Sequence, residues 1–309
     1  MTAEIEDTYA EGFRSIYAEV LITARDRRWL DHAVAAATGH ASSTILCDCE
    51  AGLVRHTDQT PDGRPGAICQ FHVPRFDKKR VRTLELALIA RLSQNVLTCP
   101  TAAVFDHLNA SIPEKDREAG HAAYEIGRKI GFFGDGFQFD DTRHGRDVTV
   151  VPIMGGEFLM DRHFGWADGV MGGNLWLMGE SVDAALAATE LGTAAVAPLE
   201  GVITPFPGGI ASSGSRAGST YDFLFASTNV PFCPTLRGHA EVQSELPDGV
   251  QSVMEIIING RDLQVITAAT RTAIDAAKEA DGLIKITAGN YNGRLGKSFI
   301  HLLPQADEQ

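Results

Sequence analysis

The apolar positions of the first hundred residues switch between two periods. Val20–Ala24 is a short apolar run of strand type. Asp26 then stands as an N-cap, and Trp29, Leu30, Ala33, Val34 and Ala37 recur at helical spacing until Gly39 stops them. Thr44–Cys47 reads as a second strand, followed by a polar loop that closes on the turn signal TPDGRPG, Thr60–Gly66. Ala67–Val73 reads as a third strand. Asp77 is placed to cap a helix carrying Val81, Leu84, Leu86, Leu88, Ile89 and Leu92, and Asn95–Cys99 reads as a fourth strand. The order β-α-β-β-α-β predicts a split βαβ arrangement, with two helices on one face of an antiparallel sheet.

Ser111–Ile130 has the pattern of a capped, exposed helix, and the three glycines of Gly131–Phe137 break it. Gly134-Asp135-Gly136 lacks the strand-then-helix setting of a dinucleotide loop. The charged turn Asp140–Asp147 marks the expected domain boundary, giving lobes 1–147 and 148–309. The second lobe repeats the grammar. Val148–Ile153, Glu157–Met160 and Asn174–Ser181 are strand-like, and an alanine-rich helix runs from Val182 to about Ala195. Gly201–Phe206 and Val253–Gly260 are strands, Asp262–Ala280 is a helix, and Gly282–Gly289 and Lys297–Leu303 are strands. The fold class expected is α+β: two ferredoxin-like (split βαβ) lobes with a long Gly/Ser/Pro-rich insertion in the second. A Cys-Pro-Thr step follows an apolar stretch in each lobe, at Cys99–Thr101 and Cys233–Thr235, and predicts similar strand-ending turns.

The insertion, Thr204–Thr235, is rich in Gly, Ser and Pro yet carries Phe206, Tyr221, Phe223, Phe225 and Phe232. A flexible linker has no use for five aromatics. Glycines admit close backbone approach and prolines fix a path, so the stretch suits an extended, partly aromatic ligand held by backbone N–H groups and short hydroxyls. The other reading is a long ordered surface loop with its own small core.

Charge and cysteine usage narrow the class. The net charge of −13, without a basic block, argues against nucleic acid and anionic membranes. Five scattered cysteines make neither a disulfide framework nor a zinc pair, and reduced thiols in the cytoplasm are expected. The acidic N-terminus is not a signal peptide, and no apolar run reaches bilayer length. Ten histidines are spread without HExxH or HxH spacing and there is no Walker A sequence, so neither a catalytic metal nor nucleotide phosphate transfer is expected.

Two side chains could carry chemistry. Glu255, inside VMEIIING, shares a strand face with Ile257 and Asn259. Flanked by isoleucines, its carboxyl could be desolvated and its pKa raised, as an acid or base working near neutrality requires; it could equally be a solvated strand glutamate. Cys233 could be an acyl carrier or a buried structural cysteine.

Eight stretches in one order carry a resemblance: TPDGRPG at Thr60, CPTAAVFD at Cys99, FFGDGF at Phe132, PFPGGI at Pro205, YDFLFASTN at Tyr221, CPT at Cys233, EIIING at Glu255 and KITAGN-x-x-G-x-LG at Lys285. Together they resemble the formylmethanofuran:tetrahydromethanopterin formyltransferases over nearly the whole chain. The resemblance implies reversible formyl transfer between the amine of a methanofuran or methylofuran and N5 of tetrahydromethanopterin, with both coenzymes as substrates and no prosthetic group. It implies two related α+β lobes, a homotetramer, and Glu255 as proton donor. Substrate contacts are expected from Phe206, Pro207, Gly208, Gly209, Ser227, Thr228, Asn229 and Cys233, with Gly208, Gly209 or Asn229 facing the oxyanion. An alanine-rich, arginine-preferring composition points to the bacterial type, a subunit of a formyltransferase/hydrolase complex in methylotrophy. The alternative is a non-catalytic scaffold or pterin-binding subunit of such a complex.

Overall fold

The computed structural model describes residues 2–214, 216–224, 226–294 and 296–305; Phe225 of the insertion and Leu295 of the last motif lie outside the described residues. The chain is a mixed α/β protein that divides into two compact units, and these are not its two halves. One unit is Arg14–Gly169, and the other joins Met1–Phe13 to Val170–Gln309. The charged turn Asp140–Asp147 holds a hairpin tip. His144 and Gly145, at φ of 54° and 72°, link the strands Phe139–Arg143 and Arg146–Ile153. Val151, with Phe158 and Met160 of the next strand, is buried in the core that holds Ile16 and Leu88, so this segment stays with the first unit.

In that unit, the strand Tyr9–Thr23 pairs through Ser15–Thr23 with Gly66–Pro74 on one side and with Ala103–Asp106 on the other, and Glu50–Thr57 lies beyond Gly66–Pro74, all antiparallel. Helices Arg27–Thr38 and Arg80–Arg91 bury Leu30, Val34, Leu84 and Leu88 against Ile16, Val20 and Phe71. Asp26 caps the first helix as expected, accepting from the Trp29 N–H at 3.1 Å. Asp77 lies outside the second helix but pins its first turn, accepting from the Lys79 N–H at 2.8 Å and the Thr83 hydroxyl at 2.7 Å.

Three expected elements differ, each for a packing reason. Thr44–Cys47 is a turn with Leu46 exposed, closed by Cys47 N–H to the Ser43 carbonyl; the strand is Glu50–Thr57, which has the Thr60–Gly66 turn to pair across. Asn95–Cys99 is not a strand. Leu84, Leu88, Leu92 and Val96 fall four apart and share one core, so the helix runs on into the π turn Leu92–Val96. Ser111–Ile130 forms two short helices, Glu114–Glu118 and Ile126–Gly131, because the chain turns at Gly120 with φ +85°. The two Cys-Pro-Thr steps do not end matching strands: the first follows the π turn, and the second enters a 3₁₀ turn, Pro234–Leu236.

In the other unit, Asn174–Gly179 lies between Ser252–Ile257 and Leu283–Thr287, antiparallel to both, and Glu4–Ile5 adds a parallel edge to the latter. Leu175, Leu177, Ile256 and Ile286 on one face share a core with Ala188, Ile266, Ala269 and Ala273 of the helices Val182–Val196 and Leu263–Ala277. Ser181 and Asp262 cap those helices through the N–H groups of Ala184 and Val265. The opposite face carries Trp176, directly across from Glu255 and from Thr287, and Met178, across from Val253 and Lys285. The strand expected over Gly201–Phe206 is only Val202–Ile203, paired with Asn259–Gly260. After it the long loop passes over the polar face, where Phe232, Leu246 and Val250 pack on Trp176 and Met178. Among the described residues no helix is long and apolar enough to cross a membrane.

Glu11 closes this unit. It is 4% exposed, and its carboxylate accepts from the N–H groups of Tyr291 (2.6 Å), Gly293 (2.7 Å) and Gly296 (2.8 Å). That grip folds the loop after Thr287 back toward the strand Ser298–His301, which pairs with Tyr9–Gly12. Glu11→Ala leaves three N–H groups without this acceptor and is expected to destabilise the protein by about 3 kcal/mol, read by urea unfolding, with Glu11→Gln between it and the parent.

Candidate active site

Glu255 is buried, 3% exposed, in a strand whose backbone is held from both sides. Trp176 faces it in the neighbouring strand, and on the other side the Glu255 N–H and carbonyl exchange 2.8 Å hydrogen bonds with Ala211 of the long loop. The side chain is held as firmly. Oε1 accepts from Asn174 Nδ2 at 2.8 Å and from Trp176 Nε1 at 3.0 Å. Burial pushes the Glu255 carboxyl above its ordinary range, and the Asn174 and Trp176 donors oppose that rise in part.

The donors of Glu255 line a cavity of about 530 Å³, a size that suits the reactive end of a coenzyme. Asn174, Trp176 and Met178 contribute from the central strand, and Lys285 and Thr287 from its neighbour. Arg216, Asn229, Pro231 and Phe232 come from the long loop, with Phe232 tilted against Trp176 at a ring separation of 4.6 Å. Asn290 and Tyr291 come from the loop that Glu11 holds, and the Asn290 amide donates to the Thr8 hydroxyl at 3.0 Å. Lys285 is paired with Glu6 at 3.0 Å and Glu4 at 3.3 Å. Burial works against both charges of the inner pair, but the Thr287 hydroxyl and Lys285 hold the Glu6 carboxyl below its ordinary range, and Glu6 and Glu4 hold Lys285 above its own. Among the described residues no three His, Cys, Asp or Glu side chains gather as a metal site would require.

Of the residues expected to contact substrate, Asn229 lines this cavity. Cys233, next to Phe232, directs its thiol to the Asn229 carbonyl at 3.4 Å. Ser227 and Thr228 brace the loop: Ser227 pairs with Arg216 across a short hairpin, and Thr228 donates to the Ser213 carbonyl at 2.6 Å. Phe206 leads into the 3₁₀ turn Pro207–Gly209, where Gly208 and Gly209 have φ of 64° and 79°; these four residues are not brought to the cavity wall. A Cβ on Gly209 would meet the Thr204 hydroxyl at 2.7 Å, so the turn needs glycine for packing.

Asn174 and Trp176 escape a reading of the sequence one strand at a time. Their i, i+2 spacing in NLWLMGES was the available signal, since it places both on one strand face. Gly289 is a third residue the sequence reading missed. A methyl there would lie 2.6 Å from Trp176 Cζ2 and 2.7 Å from Asn174 Nδ2, so only glycine leaves room for both donors.

Two family profiles match the chain: residues 1–153 match "Formylmethanofuran-tetrahydromethanopterin formyltransferase", and residues 156–304 match "FTR, proximal lobe". The Methanocaldococcus jannaschii formylmethanofuran–tetrahydromethanopterin formyltransferase is 44% identical over 303 residues, covering 96% of each chain. The solved formyltransferase from Methanosarcina barkeri superimposes with a TM-score of 0.87 at 43% identity, covering 97% of each chain. A chain of the formyltransferase/hydrolase complex from Methylorubrum extorquens, in complex with methylofuran, gives a TM-score of 0.86 at 35% identity, covering 96% of this chain and 95% of that one.

Two outcomes follow from this geometry. Gly289→Ala is expected to cost about 1–3 kcal/mol and to move the Trp176 indole N–H resonance upfield in ¹H–¹⁵N spectra as its bond to Glu255 lengthens. The second concerns pH. Glu255 holds its proton more tightly folded than unfolded, where the carboxyl has the ordinary value of 4.5. Stability therefore falls as pH rises past that value, and the loss is complete above the folded-state pKa. Glu255→Gln escapes this loss, so its stability relative to the parent should rise between about pH 4 and pH 8, by ~1.4 kcal/mol for each pH unit separating the two pKa values. Denaturant titrations at the two pH values check it.

Proposed function

We infer the chemistry from one premise: the chain belongs to the formylmethanofuran-tetrahydromethanopterin formyltransferase family. It is an N-formyltransferase that uses methanofuran and tetrahydromethanopterin as substrates. The observation that carries the mechanism is Glu255, a buried carboxyl with a raised pKa, one hydrogen bond from a cavity of coenzyme size.

Formyl transfer between amines passes through a tetrahedral intermediate. N5 of the pterin attacks the formyl carbon, the carbonyl electron pair moves to oxygen, and N5 gives up its proton. Collapse breaks the bond from carbon to the furan-side nitrogen, which leaves as an amine once it receives a proton. Glu255 supplies that proton and recovers one from N5, so no net proton is gained or lost. Of the groups considered for the oxyanion, the Asn229 amide is the one supported, because it lines the cavity whereas the Gly208–Gly209 turn does not. The loop over the polar face then holds the acceptor close, which makes the step local.

The finer architecture belongs to the same reading. In the Arg14–Gly169 unit the first four strands stand in the order fourth, first, third, second, all antiparallel. In the other unit Leu283–Thr287, Asn174–Gly179 and Ser252–Ile257 stand fourth, first, third, and the short second strand pairs with the extension of the third. These orders support two ferredoxin-like lobes. The Methylorubrum relative supports a place in a formyltransferase/hydrolase complex, and a homotetramer of this chain completes the proposal.

The test is a spectrophotometric formyl-transfer assay on the purified chain, with formyl-tetrahydromethanopterin and a methanofuran-type amine. Transfer by the chain alone is expected. Transfer only after hydrolase-complex subunits are added would make the active form a hetero-complex, and none in either case from a folded chain would leave a scaffold. Glu255→Gln should fold and lose about 10²–10⁴ in kcat. A fully active Gln variant would remove Glu255 from the mechanism.

A further inference from the structure

A carboxylic acid can carry its proton on either oxygen, and the two oxygens of Glu255 have different surroundings. Oε1 accepts from Asn174 Nδ2 and Trp176 Nε1, as many donors as it has lone pairs. An indole nitrogen can only donate, so a proton on Oε1 would point an O–H at an N–H that cannot accept it. Oε2 has no hydrogen-bond partner among the described residues and is not fully enclosed.

We propose that Trp176 and Asn174 are positioning residues that confine the transferable proton of Glu255 to Oε2 and hold the carboxylate formed when that proton leaves. The proposal rests on the reading of Glu255 as the acid. The step is balanced: the Oε2–H bond breaks, the leaving nitrogen gains the proton, and the O–H electron pair stays on the carboxylate. Its charge is then shared with Oε1, where two N–H groups already wait. Without them a carboxylate 3% exposed would have no donor and would not release its proton. Gly289 belongs to the device, since it leaves the space in which both donors reach Oε1.

Other charges do not supply this effect. The ionisable groups facing the same cavity are Glu6 and Lys285 from the sheet edge, Arg216 and Glu245 from the long loop, and Tyr291 from the loop held by Glu11. Lys285 is engaged with Glu4 and Glu6, and the shift of Glu255 arises from burial, opposed in part by its two donors.

The experiment follows the protonated-carboxyl infrared band of Glu255, identified by difference against Glu255→Gln, as a function of pH in the parent, Trp176→Phe and Asn174→Ala. The pH profile of kcat/KM is measured on the same proteins. Phenylalanine keeps a ring against Phe232, and the alanine variant serves if the first does not fold. Each variant is expected to move the infrared midpoint up by about one to two pH units, the worth of one hydrogen bond to a carboxylate. The alkaline limb of kcat/KM should move up with it, while kcat at the optimum falls about tenfold and KM changes little. Folded variants with lower kcat but unmoved infrared midpoint and limb would reduce both residues to packing and overturn the proposal. A midpoint that moves while the limb stays would uphold the donors' hold on the proton and sink the acid role of Glu255 in formyl transfer.

Discussion

Burying a carboxyl against a hydrocarbon core destabilises its ionised form unless donors reach it, and Glu255 is reached by two. Both come from the adjacent strand, so the bond exists only because Asn174–Gly179 and Ser252–Ile257 pair in one register. A slip of one residue would turn Trp176 and Glu255 to opposite faces. The register is enforced from the other side of the sheet, where Leu175, Leu177 and Ile256 must meet the two helices. The hydrophobic face fixes what the polar face can do.

The rest of the unit supports that face. Phe232, Leu246 and Val250 press the long loop onto Trp176 and Met178, and Ala211 joins the backbone of Glu255 itself. From the N-terminal segment, Glu11 gathers three backbone N–H groups and brings Asn290 and Tyr291 to the cavity. Thr8 receives the Asn290 amide. Residues nearly three hundred positions apart thus line one cavity, and thirteen residues at the start of the chain belong with its second half.

Much of the fold was legible. The helix capped by Asp26 forms where its 3.6-residue pattern puts it, and the helices Val182–Val196 and Leu263–Ala277 form within the stretches expected for them. Errors fell on short apolar runs that suit strand and helix alike. Asn95–Cys99 is not a strand because Val96 extends the spacing of Leu84, Leu88 and Leu92 into the π turn Leu92–Val96, and Thr44–Cys47 became a turn because Glu50–Thr57 had the partner strand. The site was legible in part. Glu255 could be picked out as a carboxyl among isoleucines, but not as buried, and the glycine-rich stretch brings Arg216, Asn229, Pro231 and Phe232 to the cavity rather than its glycines.

The sequence by itself determined the periods of the long helices, the Asp26 cap, the two strand–helix grammars and the family to which eight collinear motifs point, because these depend on neighbours within a few positions or on whole motifs in order. Tertiary structure alone decided which oxygen of Glu255 is held, why Gly289 must be glycine, and that Glu11 and Thr8 serve a cavity built mostly from residues beyond 170. Each of these is a contact across strands or across most of the chain. Such a contact depends on register and closure, which only the packed core sets.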